Sequence, residues 1–312
     1  MGGWETIPNY FPYMENFSTF IKIIIWLIIA LFAIFNAFSL LFLRRSVYLR
    51  TRKKRPPDEY IAGGITPERV EFETMDGIRS YGIFYSSGGG KRPLVIILHG
   101  YAHRMGANHL IIENVLKQGW NVFSFDFRGC GESDYPRTTI GLKEPLDVIG
   151  AKYYLLKRND VDFDRVAIWG GSMGATVALR TLPFFKEIRA VVADSPYYDM
   201  TTIFGERLKR KKIPLFLLPY IIFLLCLLVR GNMWKASSAN VLRDVDSIPI
   251  LFIHGDRDID VSVKDSEKLY ELYKGPKEFL KLDGYGHYDH DIIPGYIQTG
   301  IDFIKKNFEA SK

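Results

Sequence analysis

Positive charge is missing where a secretory leader would carry it. Residues 1–16 contain Glu5 and Glu15 but no lysine or arginine, and the apolar stretch Phe17–Leu43 follows. A cleaved signal peptide has a basic start, a short apolar core and a small-residue cleavage site. The start here is not basic, the apolar stretch is too long, and no such cleavage site follows it, so an uncleaved anchor is the expectation. Cysteine is scarce as well. Cys130 and Cys226 stand in unrelated contexts, and neither their number nor their spacing suggests a disulfide framework or a zinc site. The net charge of +6 is modest, and much of the excess lies between Arg44 and Arg55. There is no distributed basic face interleaved with stacking aromatics, so nucleic acid is not an expected partner.

What is present begins with that apolar stretch. Ile23–Phe35 holds no polar residue, and the whole run exceeds the roughly 20 residues that cross a hydrocarbon core. A transmembrane helix is expected at about residues 20–43, with Lys22 and Trp26 suited to an interface. Arg44, Arg45, Arg50, Arg52, Lys53, Lys54 and Arg55 follow it directly. By the positive-inside rule the rest of the chain then faces the cytoplasm of a single-pass cell-membrane protein. The same cluster attracts anionic headgroups of the bilayer. Pro56-Pro57 ends the helix. The expected organisation is an anchor over 1–55, a linker over 56–67 and a catalytic domain over 68–312.

From residue 68 the pattern alternates between strands and helices, which implies an α/β domain with a mostly parallel sheet. Val70–Thr74 and Ile78–Tyr85 flank Asp76-Gly77, a hairpin signal. Pro93–Leu98, Asn121–Phe125, Val166–Trp169, Ala190–Ala193, Ile250–Ile253 and Phe279–Leu282 read as further strands, several of them continuously apolar. Asn108–Gln118, Lys143–Lys157, Val263–Tyr273 and Tyr296–Phe308 read as helices.

The chemistry concentrates at Gly170-Gly171-Ser172-Met173-Gly174. An apolar strand runs into this Gly-x-Ser-x-Gly sequence and a helix-prone run leaves it, the strand–turn–helix setting in which the motif has meaning. A serine nucleophile needs a base and an orienting acid, in the order Ser, Asp, His for this motif. His254-Gly255-Asp256-Arg257-Asp258 and Gly286-His287 each follow a strand and supply them. Asp256 and Asp260 neighbour Asp258, and Asp194 after another strand is an alternative acid. His290 is an alternative base. In Asp126-x-Arg128-Gly129 the acid and the arginine are expected to pair and fix a loop. His99 is expected to order its own turn; His103 and His109 are expected on a loop and a helix surface.

Together these motifs resemble the α/β-hydrolase superfamily, and within it the bacterial branch with serine-aminopeptidase-like and monoacylglycerol-lipase-like proteins. The resemblance covers about Glu68 to Phe308. It rests on His99-Gly100-Tyr101, Asp126–Ser133, Gly170–Gly174, His254-Gly255-x-x-Asp258 and Gly286-His287. It implies a Ser172–His287–Asp258 triad and an oxyanion hole made by the Tyr101 and Met173 amides, with no metal or organic cofactor needed. Asp258 fits the family spacing His-Gly-x-x-Asp.

Met200–Lys235 breaks the alternation, and Ile213–Val229 runs 17 residues without a charge. A second membrane crossing there would put Ser172 on one side and Asp258 with His287 on the other. Pro214 and Pro219 also argue against it. A hydrophobic cap over about 200–235 is expected, either packed on its own domain or dipping into the adjacent leaflet. Anchor, basic cluster and greasy cap point to an acyl ester, lipid or long-chain, as substrate. A peptidase, aminopeptidase or thioesterase would use the same triad, although no acidic residue in the cap suggests itself for holding a free amine. A membrane-tethered binding protein with an idle site is the alternative from outside enzymes.

Overall fold

The computed structural model describes residues 11–49, 60–134, 136–288 and 290–310. It divides into two units, Met1–Arg45 and Ser46–Lys312. The basic residues Arg50, Arg52, Lys53, Lys54 and Arg55 and the Pro56-Pro57 break lie outside the described residues.

The described residues of the first unit lie in a single helix, α1 (Phe11–Val47), whose last two residues belong to the second. The α1 stretch Phe17–Val47 is 31 residues long, and the most apolar 18-residue window within it has a mean hydropathy of 2.6. At 1.5 Å per residue that is about 46 Å, long enough to cross a bilayer. Phe20, Trp26, Leu31 and Phe32 are all exposed, on several sides of the helix. Arg44 and Arg45 occupy its last turn, where cations complement the helix dipole.

The second unit is built on an eight-stranded sheet. Its strands are β1 (Glu68–Glu73), β2 (Arg79–Tyr85), β3 (Arg92–Leu98), β4 (Asn121–Phe125), β5 (Val161–Gly171), β6 (Ile188–Asp194), β7 (Ile250–Gly255) and β8 (Lys277–Leu282). Their spatial order is β1-β2-β4-β3-β5-β6-β7-β8. β1 and β2 form an antiparallel hairpin through Asp76-Gly77, β2 runs antiparallel to β4, and every later pairing is parallel. Gly77 turns the hairpin at φ 78°, a conformation glycine adopts without strain.

Parallel strands need covering on both faces, which is why Leu94–Leu98, Val166–Trp169, Ala190–Ala193 and Ile250–Ile253 are buried apolar runs rather than alternating ones. On one face α2 (His109–Leu116) and α9 (Tyr296–Glu309) place Ile112, Val115, Ile304 and Phe308 in one cluster with Ile97 and Trp169. On the other, α3 (Glu144–Leu155) packs on α4 (Met173–Thr181). The connection from β6 to β7 carries α5 (Met200–Arg210), α6 (Leu218–Val229) and α7 (Ser238–Leu242). α7 lies between α4 and α8 (Val263–Leu272).

The charge-free run is therefore two short pieces, a 3-10 turn and the 12-residue α6. At about 18 Å, α6 cannot cross a membrane. Its Ile222, Leu225 and Val229 are buried, while Phe223 and Leu227, with Leu215 and Phe216 before them, are exposed. The carboxylate of Asp199 starts α5 by accepting the Thr201 and Thr202 amides at 2.8 and 3.0 Å.

Two stretches ahead of β1 also belong to this unit. Tyr60 and Ala62, within the expected linker, are buried, and the Tyr85 hydroxyl donates to the Tyr60 carbonyl at 2.5 Å. The Ser46 carbonyl accepts from the Tyr101 hydroxyl at 2.7 Å, and the Val47 carbonyl from the Thr138 amide at 2.9 Å.

One local expectation is corrected. Asp126 and Arg128 do not pair with each other. Asp126 accepts the Met105 and Glu132 amides at 2.8 Å each. Arg128, with a fully buried side chain, pairs with Asp147 at 2.5 Å and Asp76 at 2.8 Å. Separation by two residues on a tight turn points the two side chains to different neighbours, so each ties the loop to a different element.

Candidate active site

The sharpest feature of the backbone lies between β5 and α4. Ser172 sits at φ 53° and ψ −115°, a region that a residue with a side chain occupies only when its surroundings force it. The neighbouring glycines show what forces it. A methyl on Gly170 would lie 2.5 Å from the Gly174 backbone, and one on Gly174 would lie 2.3 Å from the Leu98 carbonyl oxygen. Strand, turn and helix pass too close for any side chain at those two positions, and the turn lifts Ser172 above the sheet. The Ser172 amide is fixed by the Asp194 carbonyl at 2.7 Å.

Three strand ends converge there. His287, after β8, has its Nε2 2.9 Å from Ser172 Oγ and its Nδ1 2.5 Å from Asp258 Oδ2. Asp258 follows β7, and its other oxygen accepts the Asp260 and Val261 amides at 2.8 Å each. Burial by itself would raise the Asp258 carboxyl. The hydrogen bonds from His254 and His287 outweigh it and hold the group below the ordinary carboxylate range. The other two acids of the loop are turned elsewhere. Asp256 accepts the Gly284 amide at 2.7 Å, and Asp260 pairs with Arg210 at 2.9 Å.

His254 is a residue that sequence reasoning left without a role. It is fully buried. Its Nε2 faces both Asp258 Oδ2 at 3.1 Å and the Val261 carbonyl at 3.0 Å, so that nitrogen carries the proton. Its Nδ1 then accepts from the Ser266 hydroxyl at 2.7 Å. The i, i+4 spacing in His254-Gly255-x-x-Asp258 was the available signal; Ser266, on α8, gave none.

The β3 turn approaches from the other side. A methyl on Gly100 would stand 3.6 Å from Ser172 Cβ, which puts the Gly100-Tyr101 peptide beside the serine. Among the described residues the Tyr101 amide makes no backbone hydrogen bond. Met173 opens α4, where an amide has no acceptor within its own helix. Two free donors thus flank Ser172. His99 orders the turn as expected: its Nε2 accepts the Phe127 amide at 3.1 Å while Nδ1 donates to the Gly100 carbonyl at 2.7 Å. Complete burial lowers its pKa to about 4 and keeps it neutral. His103 and His109 are both exposed.

The remaining candidates, Asp194 and His290, are brought to each other and not to the serine–histidine pair. His290 Nδ1 lies 3.0 and 2.9 Å from the two Asp194 oxygens. A cavity of about 370 Å³ joins all of these groups. Ser172, His287, Tyr101 and Met173 line it, Ile111 and Trp169 give it apolar walls, and Met200, Ile203 and Arg207 reach it from α5. Among the described residues no group of three His, Cys, Asp or Glu side chains is arranged to hold a metal.

A family model described as the alpha/beta hydrolase fold matches residues 93–217, the section from β3 through the elbow into the cap. The chain belongs to the α/β-hydrolase superfamily. Among its relatives is the protein YfhR of Escherichia coli K12, 31% identical over 261 residues, which span 80% of this chain and 84% of that one. Protein bem46 of Schizosaccharomyces pombe is 28% identical over 249 residues, 77% of either chain. Among solved structures, the Pyrococcus furiosus esterase Pf2001 superposes with a TM-score of 0.67 at 26% identity, covering 84% of this chain and 98% of its own.

Proposed function

We propose that this chain is a membrane-anchored serine hydrolase that cleaves a carboxylic ester of a lipid or other long-chain acyl compound. The observation that carries the reading is the unbroken hydrogen-bonded series Ser172–His287–Asp258 opening onto the 370 Å³ cavity. His287 takes the Ser172 proton as the oxygen attacks the ester carbonyl, and Asp258 holds the ring with its Nδ1 protonated. The Tyr101 and Met173 amides receive the oxyanion at the positive end of α4. His287 then passes its proton to the departing alcohol, and water repeats the sequence to free the acid. The esterase activity in the name of the Pyrococcus relative is consistent with an ester substrate.

The long-chain acyl group is supported by two apolar surfaces. α1 is bilayer-length and carries a long exposed apolar stretch, and the outer face of the cap exposes Phe216 and Phe223. Such a face suits contact with lipid. With the arginine-rich side of α1 read as cytoplasmic, the catalytic unit works at the inner leaflet.

Labelling of membranes with a fluorophosphonate tests the reading. The wild-type chain becomes labelled in the membrane fraction and the Ser172→Ala chain does not. A folded wild type that takes no label even with detergent present rules out the serine-hydrolase assignment.

A further inference from the structure

Asp194 and His290, each an alternative for a place in the triad, form a separate buried pair. Asp194 is bonded twice over to the site. Its main-chain carbonyl accepts the Ser172 amide at 2.7 Å. Its carboxylate accepts from His290 Nδ1, from the Tyr296 hydroxyl at 2.7 Å and from the Ser195 hydroxyl at 2.9 Å. On the far side of the ring, His290 Nε2 lies 2.6 Å from the Gly286 carbonyl, in the peptide that leads into His287. The series runs from the nucleophile's amide through Asp194 and His290 to the base's own peptide.

The charge on His290 follows from the geometry. One nitrogen faces a carboxylate and the other a carbonyl, and both partners only accept. A neutral imidazole donates from one nitrogen, so making both bonds takes the imidazolium. Burial opposes that charge, but the Asp194 carboxylate and the Gly286 carbonyl overcome it and raise the pKa to about 9.

We propose that the His290–Asp194 ion pair is a clamp that sets the position of His287 against Ser172, making His290 a positioning residue for ester hydrolysis. This rests on the serine-hydrolase reading above. Among the described residues of the loop between β8 and α9 that bears His287, the 3-10 turn His290–Ile292 is the one regular element. The hydrogen bond from the Ser172 hydroxyl to His287 is broken in every turnover, so it cannot also be the loop's support. Asp194 is a firm mounting. It ends a central strand, and Ser195 after it is held at φ 52°. The Gly286 end is equally constrained, since a methyl on Gly255 would lie 2.4 Å from the Gly286 oxygen.

Among the described residues, the charged and titratable groups around His290 are Asp194 on β6, Asp258 beyond β7, His287 on the same loop, Asp291 on its own turn and Tyr296 on α9. Asp194 is the one hydrogen-bonded to it, and the Tyr296 ring lies against it. A pKa raised above the ordinary histidine value means that the clamp is complete below about pH 6.5 and is lost as the pH rises through about 9.

The test is the pH profile of kcat and KM between pH 6 and 10 for the full-length chain in detergent, with a short-chain p-nitrophenyl ester as probe. The wild type is expected to lose activity on the alkaline side near pH 9. His290→Gln is expected to lower kcat by about 10- to 100-fold with little change in KM, and to remove that alkaline loss. Asp194→Asn keeps the shape and one acceptor. It is expected to move the loss to lower pH by a unit or more, so the test survives if His290→Gln does not fold. A wild-type profile flat to pH 10, or an alkaline loss unchanged in the folded variants, overturns the clamp. A wild type that neither hydrolyses the ester nor takes a fluorophosphonate label sinks the serine-hydrolase reading and the clamp together, whereas an active wild type matched by His290→Gln sinks the clamp alone.

Discussion

Replacing Asp258 with asparagine isolates what the acid does, because the two side chains have nearly the same shape. Asp258 receives four hydrogen bonds, from His287, His254 and the amides of Asp260 and Val261. All four partners donate. An amide offers one oxygen, and the two backbone amides retain it. The NH₂ group must then face both histidine rings. His254 has a second acceptor in the Val261 carbonyl and tolerates this. His287 has none, so its ring settles with the proton on Nε2, pointing at Ser172 instead of receiving from it. That is the wrong tautomer for a base. Loss of the acid in other serine triads costs about 10⁴ in turnover, equivalent to about 5 kcal/mol of barrier. The assay is kcat on a p-nitrophenyl ester near neutral pH, with thermal unfolding as the control for integrity. Asp258→Asn keeping more than a tenth of wild-type kcat, with Asp194→Asn losing about 10⁴, refutes the argument and transfers the role to Asp194.

Gly174→Ala drives a methyl to 2.3 Å from the Leu98 carbonyl, so a loss of about 1–3 kcal/mol or more in stability is expected by denaturant titration. Asp147→Ala strips the buried Arg128 of one of the two carboxylates that pair with it among the described residues. Leaving that charge half-compensated is expected to cost about 3 kcal/mol, seen as a clear drop in Tm. Reporters fused after Pro57 and after Gly231 are both expected to read cytoplasmic; an extracytoplasmic signal at Gly231 alone rejects the cap in favour of a second crossing.

Much of the site was legible because its parts are local. The glycines at 170 and 174 announce a crowded turn, and the triad residues follow strands whose apolar runs are visible in the chain. Asp126 and Arg128 do fix their loop, but their partners were not legible, for the converse reason. Proximity in sequence said they share a loop but could not say that Arg128 turns inward to Asp147 and Asp76. The long charge-free run was likewise ambiguous: composition alone does not distinguish a short buried helix from one facing lipid, and α6 has both a buried face and an exposed one.

The sequence by itself determined the α/β alternation, the strained serine turn, the bilayer-length N-terminal helix and the three residue types of the expected triad. These depend on period, glycine spacing and the length of apolar runs, all short-range properties. Only the tertiary structure decided which acid and which histidine join Ser172 in one hydrogen-bonded series. Asp194 and Asp258 both follow parallel strands, and His287 and His290 lie three residues apart. The spatial order of β6, β7 and β8 carries Asp258 to His287 and leaves Asp194 to His290. Pairing among four such groups depends on where the strand ends meet, which a linear spacing does not contain.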